Sequence, residues 1–244
     1  MRNLLVTLRF DGRPFAGWQV QKNAPTVMQA FQDALEAVLK ARPNVKGCSR
    51  TDSGVSAETY CVSFLTESRI PCERLVPALN VNLPEAIAAT ACREMPEDFH
   101  ARYSCTGKRY RYRIHNSSVR DPFLCGLALK WPYPLDADFL NAQAQAFVGK
   151  QDFAAFKNSG TDMPDTVRTV FDCAVVRRGE LVEFFVSGDG FLYNMVRIMV
   201  GTLLDISRGS LAADTIPKII ASKDRKQAGM TAPACGLTLM EVFY

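Results

Sequence analysis

Hydrophobic residues recur along the first hundred positions with two periods, one typical of strands and one typical of helices. Residues 3–10 alternate as a strand does, while residues 26–41 follow the helical period and begin with a capping box formed by Thr26 and Gln29. The buried stripe of this helix is predicted to contain Val27, Phe31, Ala34, Leu35 and Val38. The later patterns predict a strand at 58–66, a short helix at 72–84 and a strand at 86–95. This order favours a mixed α/β layer.

The second half of the chain repeats that order of strands and helices. Residues 106–116 alternate as a strand, with Tyr110 and Tyr112 on one face and arginines on the other. Gly179 is predicted to join two strands of a hairpin. Helices are predicted at 135–149, at 191–209 with Gly209 as the C-terminal cap, and at 213–222, followed by a strand at 236–244. The pattern therefore predicts two similar halves that divide near residues 100 to 107.

Composition sets the class of protein. The chain has 244 residues, of which 48% are hydrophobic and 22% charged, so it can bury a sizeable core. Its apolar runs fall short of the roughly 20 residues that a membrane helix needs. The first ten residues lack the features of a signal peptide, so we expect a cytoplasmic protein without a membrane segment.

Cysteine and histidine usage argues against a metal centre. The eight cysteines are scattered and never have the C-x-x-C spacing of zinc or redox sites, and the chain has only two histidines, His100 and His115. We expect structural thiols in a reducing compartment, no metal and no cofactor.

Basic residues concentrate in one part of the chain. The formal net charge is only +4, yet residues 102–120 carry six arginines and lysines, interleaved with tyrosines, and no carboxylate. Such a stretch suits a nucleic-acid backbone with bases beside it. The alternative is a solvated strand face.

Residues 47–57, "GCSRTDSGVSA", consist of small and turn-forming residues around one charged pair, Arg50 and Asp52. The small neighbours let the backbone approach a ligand, although an aspartate also serves in turns by bonding its own backbone. A guanidinium near an enclosed carboxylate keeps it ionised, and at roughly 4 Å the pair attracts by about 4 kcal/mol. An ionised, oriented carboxylate is what covalent catalysis by aspartate requires.

Two further candidates lie in the second half. Arg197 is the lone charge of the apolar stretch 191–201, in the middle of the predicted helix, and needs an acid, which is either a catalytic carboxylate or a structural partner. Tyr110 is suited to stacking on a base or to an ordinary core position, and Tyr112 competes for either role.

Six motifs occur in the order and spacing of the tRNA pseudouridine synthase A family, which the chain therefore resembles over nearly its whole length. They are "FDGRPFAGWQ" at 10–19, "SRTDSGVSA" at 49–57, "FHAR" at 99–102, "KRYRY" at 108–112, "FLYNMVRIMVG" at 191–201 and "GLTL" at 236–239.

The resemblance implies an isomerase without cofactor or metal that converts uridine to pseudouridine at positions 38, 39 and 40 in the anticodon stem-loop of tRNA. It implies that Asp52 is the catalytic nucleophile, Arg50 its neighbouring arginine, Arg197 a second arginine and Tyr110 the residue that binds the base. It also implies a homodimer. We therefore predict an α+β fold of two ferredoxin-like α/β halves, with antiparallel or mixed sheets and a basic cleft between them. Residues 1–103 would carry the aspartate loop, and residues 104–244 the tyrosine strand and the arginine helix.

Two positions depart from the family pattern, and two other functions compete. Ser49 replaces a common glycine and Ser56 a usual histidine, which bears on RNA positioning more than on the chemistry. One rival is a non-catalytic RNA-binding module of ferredoxin-like fold, which would not need a loop bearing Arg50 and Asp52. The other is a glycosidase, for which we find no second carboxylate in a comparable setting.

Overall fold

The computed structural model describes residues 1–158 and 164–244, and in these ranges the backbone forms ten strands and five helices. The strands are β1 (Arg2–Phe10), β2 (Lys46–Gly47), β3 (Ser56–Thr66), β4 (Ile87–Met95), β5 (Gly107–His115), β6 (Leu129–Lys130), β7 (Gly149–Asp152), β8 (Val167–Arg178), β9 (Leu181–Gly188) and β10 (Leu237–Phe243). The helices are α1 (Val27–Leu39), α2 (Cys72–Asn82), α3 (Ala137–Ala144), α4 (Met195–Ser207) and α5 (Ile216–Ser222). The predicted α+β class is confirmed.

The chain folds into two compact units. Unit 1 comprises Met1–Thr106 together with Thr238–Tyr244, and unit 2 comprises Gly107–Leu237. The sequence placed all of residues 104–244 in a second domain, whereas β10 pairs with β3 of unit 1. The alternation of residues within β10 predicts a strand, but it does not predict which strand β10 pairs with, because that depends on the tertiary fold.

Unit 1 is built around strands β1 and β3. Strand β1 pairs antiparallel with β3 on one side and with β4 on the other, and β10 joins β3 in parallel while β2 joins it antiparallel. The consecutive residues Leu4, Leu5 and Val6 are all buried, so β1 is covered on both faces. Helix α1 begins as predicted, because the Thr26 hydroxyl accepts a hydrogen bond from the Gln29 N–H at 3.4 Å.

Unit 2 contains the antiparallel strands β5, β9, β8 and β7, paired in that order, and β6 runs parallel to β5. The β8–β9 hairpin turns at Gly179, as predicted, with φ +61°. Helix α3 packs on β8 and α4 contacts both α3 and β5. Helix α4 is buried along nearly its whole length, which explains its continuous apolar sequence.

Helices α3 and α4 differ most from the lengths that the sequence predicts, and both are shorter. Helix α3 ends at Ala144, and Gly149, expected as its end, instead starts β7 with φ +111°. Helix α4 begins at Met195 because Asn194 adopts a left-handed conformation, φ +61°, which interrupts a right-handed helix. Arg197 therefore lies in the first turn of α4 and not in its middle.

Candidate active site

Arg50 and Asp52 lie on the loop of residues 48–55, which links β2 to β3 in unit 1. We call it the aspartate loop. Its first residue is fixed because the Cys48 N–H donates to the Cys61 carbonyl at 2.9 Å, and its last turn closes with the Val55 N–H donating to the Asp52 carbonyl at 3.2 Å. Backbone hydrogen bonds therefore set the position of the aspartate at both ends of the loop.

A second loop, residues 11–18, packs against the aspartate loop. The Trp18 N–H donates to the Thr51 carbonyl and the Gly54 N–H donates to the Phe15 carbonyl, each at 3.2 Å. A Cβ on Gly17 would lie 2.4 Å from the Thr51 carbonyl oxygen, and Gly17 has φ +88°. The small residues of both loops are explained by this contact, because the two backbones approach too closely for side chains.

Buried aromatic rings pack against the aspartate loop. The rings of Trp18 and Tyr60 are buried with their centroids 4.4 Å apart, and Phe10 contacts Tyr60 at 5.4 Å. The Tyr60 hydroxyl donates a hydrogen bond to the Ser49 carbonyl. A cluster of buried aromatic rings therefore contacts the aspartate loop through the Tyr60 hydroxyl.

The two charged residues of the loop differ in exposure. Asp52 is partly exposed, whereas Arg50 is exposed and forms no ion pair with any residue that the structure describes. The expected attraction between Arg50 and Asp52 stays a prediction.

The two departures from the family pattern take structural roles in unit 1. Ser56 is the first residue of β3, pairs with Thr238 of β10, and its hydroxyl accepts a hydrogen bond from the Gly12 N–H at 2.9 Å. Ser49 contributes its backbone carbonyl to Tyr60. Ser56 therefore ties the start of β3, where the aspartate loop ends, to the loop of residues 11–18.

Tyr110 and Arg197 belong to unit 2, and the structure separates Tyr110 from its competitor. Tyr110 lies on β5 with its ring 5.2 Å from that of Phe191 in an edge-on arrangement, and 6% of the residue is exposed. Tyr112 is completely buried and donates its hydroxyl hydrogen bond to the Pro233 carbonyl at 2.7 Å. Burial raises the pKa of Tyr112 well above its usual value. Tyr112 is thus a core residue; Tyr110 is also buried, though less completely, and its role in binding the base stays a prediction.

Arg197 is held by groups that the sequence did not predict. Its Nε donates to the Ala232 carbonyl and its Nη1 to the Asn194 side-chain oxygen, both at 2.7 Å. Asn194 in its left-handed conformation therefore positions the guanidinium as well as starting α4. These bonds fix the plane of the arginine fork.

The segment that carries Ala232 packs on α4 through two glycines. A Cβ on Gly201 would lie 1.8 Å from the Met230 carbonyl oxygen, and one on Gly229 would lie 2.6 Å from the Thr202 Cα. A glycine within a buried apolar helix was the one sequence signal for this close approach. The close packing of residues 228–233 on α4 therefore holds the Ala232 carbonyl where the Arg197 side chain can donate to it.

The basic strand β5 is partly neutralised within its own sheet. Arg111 lies 3.6 Å from the Glu183 carboxylate on β9, and Arg109 places its guanidinium 5.5 Å from the centre of the Phe185 ring. Tyr110 and Tyr112 share one face of β5, as predicted, and both are buried, while these arginines remain partly exposed. The strand presents less free charge than its sequence indicates.

In the ranges that the structure covers, residues 1–158 and 164–244, we find no cluster of three or more metal-ligating side chains. No helix there is both long enough and apolar enough to cross a membrane.

Comparison with known proteins gives consistent matches. A family model described as tRNA pseudouridine synthase matches residues 7–104 and 143–244. The chain is 44% identical over 244 residues to a tRNA pseudouridine synthase A from Acetivibrio thermocellus, and 41% identical to a tRNA pseudouridine synthase A 2 from Clostridium perfringens; both alignments cover 100% of each chain. A solved structure, a Cbf5-Nop10-Gar1 complex, has a TM-score of 0.37 and 11% identity, and the match covers 96% of this chain and 57% of that one.

Proposed function

This chain belongs to the tRNA pseudouridine synthase family, and from that premise we propose that it isomerises uridine to pseudouridine in tRNA, at positions 38, 39 and 40 of the anticodon stem-loop. We propose Asp52 as the nucleophile. The observation that carries this assignment is the fixed aspartate loop, which holds a partly exposed carboxylate by backbone bonds and by contact with Gly17. Because the loop is already fixed, little conformational entropy is lost when the nucleophile is positioned for reaction.

The reaction breaks the bond between C1′ and N1 of uridine, rotates the uracil and joins C1′ to C5. The C5 proton is lost and N1 gains a proton, so the exchange is balanced without an oxidant or reductant. Breaking a glycosidic bond builds positive charge at C1′, which a nearby carboxylate stabilises. A carboxylate can attack C1′, attack C6 of the base or take a proton from the ribose, and Asp52 has the chemistry for each of these steps.

We assign supporting roles to three other residues. Tyr110 stacks on the uracil with its ring and passes a proton with its hydroxyl at the last step. Arg197, whose guanidinium is oriented by Asn194 and the Ala232 carbonyl, is the second arginine that the family resemblance implies for catalysis. Arg50, exposed and outside any ion pair in the described residues, contacts a phosphate or fills the place that an everted uridine leaves in the stack.

Uridines within a stem must leave the stack before they react, at a cost of a few kcal/mol. Contacts between basic residues and phosphates offset this cost, and they position the RNA without reading its sequence. We therefore propose that tRNA is selected by shape. We also propose a cytoplasmic homodimer, which size-exclusion chromatography with light scattering would measure.

The test is chemical mapping of pseudouridine in unmodified tRNA that has been incubated with the purified protein. We expect new pseudouridine at positions 38 to 40. Asp52→Asn should keep its affinity for tRNA and form no pseudouridine, because the amide is neither charged nor nucleophilic.

Full activity of the Asp52→Asn variant would remove Asp52 from the catalytic role. Binding of tRNA by the wild-type chain without any new pseudouridine would instead favour a non-catalytic RNA-binding module.

A further inference from the structure

Cys72 and Cys92 lie side by side in unit 1, although they are 20 residues apart in sequence. Their Sγ atoms are 2.8 Å apart. Cys72 is the first residue of α2 and Cys92 lies on β4, the strand against which α2 packs. A disulfide bond measures about 2.05 Å, so the two sulfurs need to approach by less than an ångström to bond.

Both thiols are accessible. Cys72 and Cys92 are each partly exposed, whereas Cys48, Cys61 and Cys173 are buried. A reagent in solution can therefore reach the pair, in contrast to the cysteines of the core.

A basic cavity adjoins this pair. It has a volume of about 530 Å³, and its lining includes Cys72, Arg69, Arg93 and the carboxylate of Glu73, so the two arginines leave a net positive charge beside the thiol. Arg2 also lines it, but its Nε donates to Glu94 at 2.9 Å, which balances its charge. Arg69 and Arg93 are exposed and form no ion pair with the residues that the structure describes. The cavity thus offers two guanidinium groups to a ligand that carries carboxylates.

The two sulfurs have different surroundings. Cys72 lines the cavity and is the first residue of α2, so a reagent bound in the cavity meets this sulfur first. Burial, together with the contact to Cys72, raises the pKa of Cys92, which keeps its proton longer. Cys72 is therefore the first nucleophile and Cys92 the thiol that follows.

We propose that Cys72 and Cys92 are a modification site that forms a reversible disulfide by exchange with a small carboxylate-bearing disulfide bound in the arginine-lined cavity. The Cys72 thiolate attacks one sulfur of the reagent, which breaks the reagent's S–S bond and releases one thiolate that takes up a proton. Cys92 then gives up its proton and attacks the Cys72 sulfur, which releases the second thiol. The protein loses two hydrogen atoms and the reagent gains them as two thiols.

The bond would join the start of α2 to the edge strand β4 and would close a loop of 20 residues in the unfolded chain. Closing such a loop restricts the unfolded state. We therefore expect the oxidised protein to unfold at a higher temperature than the reduced one.

The experiment uses the reduced full-length chain and oxidised glutathione as the probe, with acid quenching, alkylation and peptide mapping by mass spectrometry. We expect a peptide pair linked through Cys72 and Cys92. Cys92→Ser should accumulate glutathione on Cys72, because the second step is blocked, and Cys72→Ser should carry none on Cys92. Cys125→Ser, which removes an exposed cysteine elsewhere, should leave the linked pair unchanged.

Modification of Cys125 while Cys72 and Cys92 stay reduced would overturn the proposal, and glutathione on Cys92 of the Cys72→Ser variant would overturn the order of attack.

The Arg69→Gln variant tests the role of the cavity. It should slow the reaction with oxidised glutathione several-fold and leave the reaction with cystamine, a cationic disulfide, unchanged. Arg74→Gln removes a charge from α2 outside the cavity and should change neither rate. Equal rates of the Arg69→Gln and Arg74→Gln variants with oxidised glutathione would disprove the role of the cavity.

Discussion

Tyr110 and Tyr112 lie two residues apart on the same face of β5, and only their surroundings distinguish them. Alternation along the strand predicts the face correctly for both. It cannot predict that the Tyr112 hydroxyl reaches the carbonyl of Pro233, 121 residues further along the chain. A role that depends on a distant backbone carbonyl is a property of the folded unit and not of the strand sequence.

Substitution of each tyrosine by phenylalanine should therefore give different results. Tyr110→Phe should bind tRNA normally, because the ring still stacks, and should turn over about a hundredfold more slowly, because a proton donor is lost. Tyr112→Phe should keep its turnover and lose about 1 kcal/mol of unfolding free energy, the typical net value of one hydrogen bond. Single-turnover kinetics and urea unfolding measure the two effects. Wild-type turnover of the Tyr110→Phe variant would limit Tyr110 to stacking.

Arg197 and Arg225 provide a second matched pair. Both bind the segment after α5, Arg197 through the Ala232 carbonyl and Arg225 through the Gly229 carbonyl at 2.9 Å. A lysine cannot reproduce the planar fork of either arginine, so both Lys variants should lose stability. Only Arg197→Lys should also lose most of its turnover per folded molecule. If the two variants kept the same turnover, Arg197 would have a structural role alone.

At the scale of elements, the aspartate loop and the loop of residues 11–18 act as one body. The sequence indicates turn-forming residues in the aspartate loop, and its glycines give no indication of their partners. The structure shows that Gly17 is required by the contact with the Thr51 carbonyl. The location of the loops was predictable from their turn residues, but their mutual contact was not, because nothing local encodes it.

Gly17→Ala should therefore affect catalysis through the loop. Gly179, in the β8–β9 turn, also has positive φ but has no atom within 4 Å of an added Cβ. Both Ala variants should lose about 1 kcal/mol from the left-handed conformation, and Gly17→Ala should lose more because it displaces the aspartate loop. Denaturant unfolding and pseudouridine formation should show reduced turnover for Gly17→Ala alone. Unchanged turnover would mean that the loop accommodates the methyl group without moving Asp52.

Secondary structure was predictable where the periodic signal was long. Helix α1 and strands β1 and β3 were predicted because their hydrophobic signal extends over nine or more residues. Strands β2 and β6 have two residues each, too few for any period. The start of α4 was predicted too early because "FLYN" continues the apolar pattern. The left-handed conformation of Asn194 excludes these residues from the helix, and the hydrophobicity of the sequence does not predict it.

At the scale of the whole molecule, the net charge of +4 does not show that some arginines are paired with carboxylates and others are not. Arg42 is neutralised by Asp33 and Glu36, at 2.6 and 2.7 Å, and Arg111 is paired with Glu183. Arg109 is partly exposed and lies over a ring instead of a carboxylate. Arginines of the latter kind carry the free charge that can meet phosphates.

Binding of tRNA should weaken steeply with salt, because phosphate contacts release counterions. We expect the logarithm of the association constant to fall linearly with the logarithm of salt concentration. Arg109→Gln should make that slope shallower by about 1, the value for one lost phosphate contact. Arg42→Gln, whose charge is already balanced, should leave the slope unchanged. Filter binding at several salt concentrations measures both, and identical slopes would exclude Arg109 from the RNA contact.

Strand β10 also determines when unit 1 can be completed during synthesis. The edge of β3 behind the aspartate loop receives Thr238 and Leu239, which the ribosome adds only after all of residues 107–237. A nascent chain therefore exposes an unpaired strand edge while unit 2 is being made, and such edges promote aggregation. Messages cut short before codon 238 should yield insoluble protein even though most of unit 1 has been translated.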